Sequence, residues 1–339
     1  MFDCRVPLFG YRRAFQLLSV AACAALAACG GSPAPGVPPT ALGVAGDAWI
    51  GPTGFSSPDV DASIAPPTPA GSHRANRWLA PAGKGIGRFL YSADSDEVQI
   101  FAPGNPPVQS GTISDGVRHA YGLFIDQSGR LYVVNRKGNR VTEYEPRTIE
   151  PNREYSGGLN SPLYVTVDAA QDVYVTNSAG STITAYMSGA SAPTSLPSLG
   201  SETDGLAFDG SGNLYAAYRN GKKQAGIEYY ALGTTIPKDL GISLDQPQGL
   251  VIDPAGNVLV AQTGGVNTVD VFPPGQTTPS QQISFSGAPT ELALTSSGST
   301  LFVSVLPGAI DKVPLSRPTP LALITGLENL QGVAITPGF

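Results

Sequence analysis

Short apolar runs separated by polar turns dominate this chain from about residue 86 to its end. The runs GLFID (Gly122 to Asp126), YVTVD (Tyr164 to Asp168), GLAFD (Gly205 to Asp209) and GLVID (Gly249 to Asp253) each end on an aspartate. A Ser/Gly-rich turn follows, then a strand of the LYV type and another of the VTEY type. Runs of about five apolar or alternating residues bounded by Gly, Asn, Asp and Pro predict β-strands. The Asp starts a tight turn by accepting backbone N–H groups two residues on, and glycine supplies the positive φ. Tyr132, Tyr174 and Tyr215 recur in the second strand and are expected to pack between repeats.

Six segments carry this pattern, beginning at Arg88, Gly129, Gln171, Gly212, Gly256 and Ser299. The first strand ends at Asp126, Asp168, Asp209, Asp253, Thr295 and Thr336, in steps of 42, 41, 44, 42 and 41 residues. A period near 40 residues with several strands per repeat predicts a closed, all-β propeller of six blades. The copy beginning near Gly87 lacks its first strand, while GVAIT (Gly332 to Thr336) stands alone at the other end. The last strand is therefore expected to complete the first blade, which closes the ring and removes a sheet edge.

Val133 to Pro146, VVNRKGNRVTEYEP, resembles an NHL repeat, and VYVTN (Val173 to Asn177) is similar to the YVTN form of the same broad class. The resemblance covers residues 86–339 and implies the propeller fold. Lactonases, lyases, oxidoreductases and pure binding modules all occur in that class, so it selects no activity.

The N-terminus reads as an address. Arg5, Arg12 and Arg13 precede an uncharged run from Ala14 to Ala28, too short to span a bilayer. Leu26-Ala27-Ala28-Cys29-Gly30 is similar to a bacterial lipobox, which implies a signal peptide over 1–28 and lipidation of Cys29. Gly30 after the cysteine resembles lipoproteins sent to the outer membrane. The expected localisation is therefore exported and lipid-anchored to the cell envelope. Residues 29–85 are rich in Pro and Gly and read as a tether. Trp78 and Leu79 are expected to dock on the propeller; Trp49 lies further back. Only Cys4, Cys23 and Cys29 occur, so the propeller, residues 86–339, holds no disulfide or cysteine metal site.

The net charge of −6, and the absence of a basic patch interleaved with aromatics, argue against nucleic acid. Lys222 and Lys223 read as a solvated pair. His73 and His119 are the only histidines. No H-E-x-x-H, G-x-S-x-G or C-x-x-C motif occurs, and Gly83 to Gly87 lacks the flanking strand and helix of a phosphate loop.

Candidate chemistry falls to the central channel. The residues preceding each GLxxD-like strand are Tyr121, Leu163, Asp204, Gln248, Thr290 and Gln331, with Glu291 and His119 nearby. His119, Tyr121, Asp204, Gln248, Glu291 and Gln331 are the candidate ligand-binding set. The gluconolactonase branch of six-bladed propellers takes a Glu, an Asn and an Asp around a divalent cation. Thr203-Asp204-Gly205-Leu206 resembles its Pro-Asp-Gly stretch, but Leu163 replaces the Asn and Thr290 the Glu. Strict alternation puts Glu291 on the opposite face of its strand. A divalent cation is the only cofactor these residues suggest, and no catalytic set is complete. The expected function is a membrane-anchored binding or scaffold lipoprotein that recognises an envelope protein or glycan through a propeller face. The alternative is a metal-dependent, lactonase-like hydrolase.

Overall fold

The computed structural model describes residues 87–221 and 224–339. The expected signal peptide and tether, with Cys29, His73 and both tryptophans, and the Lys222–Lys223 pair lie outside them. The described chain forms six four-stranded antiparallel sheets. In the first blade, Leu90–Asp94 is sandwiched between Glu97–Ala102 and the C-terminal strand Leu330–Ile335, and Val108–Ile113 lies outermost. The expected closure is present. The innermost strands of the other blades are Ala120–Ile125, Pro162–Val167, Glu202–Phe208, Pro247–Ile252 and Ala288–Leu294.

Closure is locked at the strand end. Thr336 occupies the position that aspartate holds in four other repeats. Its Oγ1 accepts the Phe89 N–H at 2.9 Å, and its own N–H donates to the Phe89 carbonyl at 3.0 Å. The aspartates act as their sequence position predicts. Asp168 Oδ1 accepts the N–H groups of Ala170 and Asp172, Asp209 Oδ1 those of Ser211 and Asn213, and Asp253 Oδ1 those of Ala255 and Asn257.

Six apolar clusters hold the ring, one at each junction between blades. The junction of the first and second blades packs Tyr91, Val98 and Ile100 against Leu123, Leu131 and Val133. The junction of the sixth and first packs Phe302 and Ile310 against Leu90 and Phe101. Tyr132 serves the second junction, and Tyr174 meets Phe208 edge-on across the third, with ring centroids 5.1 Å apart. The apolar face of each sheet is thus covered by the next blade, which removes it from water.

The asparagine of the VVN and VTN triplets has its own task. Asn177 is buried at the end of its strand. Its Oδ1 accepts the N–H of Asn160 at 2.8 Å, and its Nδ2 donates to the Thr182 carbonyl and to Thr184 Oγ1. Asn135 repeats this with Arg118 N–H, the Val133 carbonyl and Thr142 Oγ1. In the fifth blade Gln262 accepts from Asp245 N–H and donates to Asp270. Each amide side chain pins the loop arriving from the preceding blade.

Removing such a clamp leaves buried donors and acceptors unmade, which costs about 1–3 kcal/mol. Asn177→Ala is therefore expected to lower unfolding free energy by about that amount in urea denaturation. Asn220→Ala, which removes exposed bonds to Ser201 and Leu199, is expected to lose less.

Candidate functional site: the mouth of the central channel

Every innermost strand carries a break in register. The second blade pairs Ala120 with Asn135 and then Leu123 with Val133, so Tyr121 and Gly122 together oppose one residue. The same shift falls at Leu163–Tyr164, Asp204–Gly205, Gln248–Gly249 and Thr290–Glu291, and a one-residue shift falls at Gln331. A bulge re-aims side chains and interrupts alternation. The candidate positions read from the repeat are thus the bulged residues at the channel.

The second residue of each bulge decides what the channel contains. A Cβ on Gly332 would meet the Tyr121 carbonyl, one on Gly122 the Leu163 carbonyl, one on Gly205 the Gln248 carbonyl and one on Gly249 the Thr290 carbonyl. Glycine is needed there because neighbouring inner strands approach backbone to backbone. Tyr164 and Glu291 occupy this position in the third and sixth blades, which face each other across the ring. Their side chains fill the channel. The Tyr164 hydroxyl donates to the Thr290 carbonyl at 3.1 Å on the opposite blade. Glu291 accepts the Leu123 N–H at 3.0 and 3.2 Å and the Val333 N–H at 2.8 Å. The alternation rule misplaced Glu291; the bulge turns its carboxylate into the channel.

Burial pushes the Glu291 carboxyl well above the ordinary range, opposed by its two backbone donors. Burial likewise raises the Tyr164 hydroxyl well above its usual value, and raises Tyr121.

Asp204 is fully buried and forms a bidentate pair with Arg219, Nε to Oδ2 at 2.6 Å and Nη2 to Oδ1 at 2.9 Å. Burial pushes its carboxyl up to about 6, against the pull of Arg219. Arg219 Nη2 also meets Glu202 Oε2 at 3.1 Å.

Above this plug lies a cavity of about 430 Å3, lined by Tyr121, Arg136, Ser161, Leu163, Ser178, Ala179, Glu202, Arg219 and Gln248. Gln248 Oε1 lies 3.5 Å from the hydroxyls of both Tyr121 and Tyr164, whose rings meet edge-on at 5.6 Å. The Arg136 guanidinium sits over the Tyr121 ring, 5.6 Å from its centroid. Of the six candidates, Tyr121 and Gln248 line the cavity, while Asp204 and Glu291 are buried with protein partners. Gln331 gives its backbone carbonyl to Thr290 and Ser304. His119 sits in a turn with φ of 53°, its N–H donating to Asp96. Arg136, Glu202, Arg219, Ser161 and Ser178 are cavity residues that the repeat alignment did not single out. Arg136 and Ser178 share one signal, since each directly follows the clamping asparagine.

The carboxylates present do not fit a divalent cation. Asp204 is spent on Arg219 and Glu291 on backbone donors, and the Leu163 side chain carries no oxygen. Among the described residues, no group of three His, Cys, Asp or Glu is placed to hold a metal.

No family model and no curated protein matches this sequence. The solved structures do supply likenesses. A chain of the crystal structure of a nidogen/laminin complex is 17% identical with a TM-score of 0.64, over 74% of this chain and 98% of that one. A chain of hydrazine synthase from Kuenenia stuttgartiensis is 14% identical with a TM-score of 0.48, over 65% and 71%. Streptogramin B lyase is 13% identical with a TM-score of 0.48, over 71% and 74%. The protein is a six-bladed β-propeller, and at 17% identity the likeness to the nidogen/laminin chain speaks to fold alone.

Glu291 and Asp204 bind protons in the folded state at pH values where the unfolded chain has released them. Their contribution to stability is fully present below the ordinary carboxylate range, and it is lost as pH rises through the raised folded values. Between about pH 4.5 and pH 7 the thermal midpoint is expected to fall more in the wild-type protein than in Glu291→Gln. Parallel profiles for the two proteins would show that Glu291 keeps its charge when buried.

Proposed function

We propose that this propeller is a binding module, held at the cell envelope by a lipid on Cys29, that takes a partner at the mouth of its central channel. The observation that carries the reading is the polar cavity over a plugged channel. Tyr164 and Glu291 close the path through the ring, so a ligand docks on the mouth and does not enter. Binding residues on loops around a rigid scaffold suit recognition, and a cavity of about 430 Å3 falls in the usual range for small-molecule sites, about 300–1,000 Å3. The hydrolase alternative draws on Asp204 and Glu291, and both are engaged with protein groups. The lipobox-like LAACG, the basic start and the Pro/Gly-rich stretch support the anchor and the reach. The acidic net charge supports a partner other than nucleic acid.

Two experiments test this. Cys29→Ser is expected to move the protein from the detergent-rich to the aqueous phase and to abolish labelling with a fatty-acid analogue. A photo-crosslinking residue at Ser178, on the mouth, is expected to capture partners in intact cells. The same residue at Ala255, in a turn on the other face, is expected to capture none. Capture from Ala255 alone would place recognition on the wrong face and overturn the reading.

A further inference from the structure

One guanidinium in the cavity wall lacks an anion of its own. Arg219 is neutralised by Asp204 and Glu202. Arg140, on the same face, pairs with Glu154 at 3.1 Å. Arg136 lies half-buried in the cavity wall over the Tyr121 ring, with no ion pair among the described residues. An aromatic face holds a guanidinium in place without satisfying its fork of N–H donors. Such a fork matches a carboxylate bidentately.

The remaining wall is hydroxyl-binding. Gln248 Oε1 faces two tyrosine hydroxyls, and its Nε2 has no protein partner among the described residues. Ser161 presents a hydroxyl, and the partly exposed Glu202 carboxylate can accept from hydroxyls. Apolar lining is limited to Leu163, Ala179 and the Tyr121 ring.

Cationic character continues along the rim. The short turn Arg136–Gly138 separates this cavity from a second one of about 490 Å3, lined by Asp96, Val117, Arg118, Lys137, Gly138 and Arg140. Arg118 and Lys137 form no ion pair among the described residues. One turn thus gives Arg136 to the first cavity and Lys137 to the second, on a chain whose net charge is −6. A ligand bearing a carboxylate on each successive unit would meet both.

Resting on the reading that the mouth binds a ligand, we propose that the ligand is a carboxylated carbohydrate, an oligomer of uronic acid units. Arg136 takes one carboxylate, Gln248 and Glu202 take ring hydroxyls, and the Arg118–Lys137 cavity takes the next unit. An acidic protein is the less favoured occupant. Protein interfaces are built around an apolar, aromatic-rich core, and none of the large exposed apolar side chains (Val108, Leu199, Leu232, Ile236, Val266, Leu321) lines either cavity.

The test is calorimetric titration of the full chain in detergent with trigalacturonate, its neutral counterpart trigalactose, and hexaglutamate. Trigalacturonate is expected to bind and to weaken with salt, with trigalactose weaker by at least about tenfold. Arg136→Ala is expected to weaken trigalacturonate about ten- to hundredfold, since a hydrogen bond to a charged group is lost. Arg136→Lys is expected to recover part of it. Lys137→Ala is expected to weaken the trimer but not galacturonate itself. Equal binding of trigalactose, unaffected by Arg136→Ala, would overturn the anionic ligand and leave the mouth as a binding site. Tighter binding of hexaglutamate would overturn it in favour of an acidic protein. No binding of any probe, with crosslinking from Ser178 intact, would overturn the carbohydrate while sparing the binding module. Failure of both would sink both.

Discussion

The whole ring depends on how closely its inner strands approach. At four of six positions the backbone of one blade lies against the next so tightly that only glycine fits. That approach sets the width of the channel, and the bulges beside it set which side chains face the hole. At the two remaining positions Tyr164 and Glu291 use the space between the strands. The hydrogen bonds of Tyr164 to Thr290 and of Glu291 to Leu123 tie non-adjacent blades together, and that of Glu291 to Val333 ties the sixth blade to the first. The same residues that brace the ring close it to passage, which moves any ligand to the mouth.

Polar burial at this centre is matched by partners. Asp204 faces a planar guanidinium, and Glu291 faces two backbone donors. A buried charge without such company would be neutralised or would destabilise the fold. The raised carboxyl ranges of both groups show that desolvation outweighs these partners. Their role is to set geometry: Asp204 orients Arg219 at the cavity wall, and Glu291 fixes the spacing of three inner strands.

The architecture was legible because it rests on local, repeated signals. Asp-started turns, the 41- to 44-residue step and the orphan strand at Gly332 each announce themselves within a few residues. The site was legible only in part. Tyr121 and Gln248 could be reached by counting from the repeat. Glu291 was misplaced because a bulge breaks the two-residue period on which facing is reckoned. Arg219 was missed because it stands opposite Glu202 in the hairpin register, and only the bulge at Asp204 brings that carboxylate to it. Arg136 was hidden in a segment read for its repeat pattern. Tyr164 and Glu291 did leave a mark, since they interrupt a column that is otherwise glycine.

The closing strand has a kinetic consequence. The bond from Phe89 to Thr336 joins residues 247 apart in sequence. The five other blades are each made from one continuous stretch, so their strands can pair as hairpins soon after the chain carrying them is made. The first blade cannot: Leu90–Asp94 keeps a bare edge until Leu330–Ile335 is available to pair with it. Such long-range pairing pays its loop entropy before contacts reward it. Completion of the ring is therefore expected to be the slow step of folding, and the strand after Gly87 is the one most exposed to mispairing while it waits.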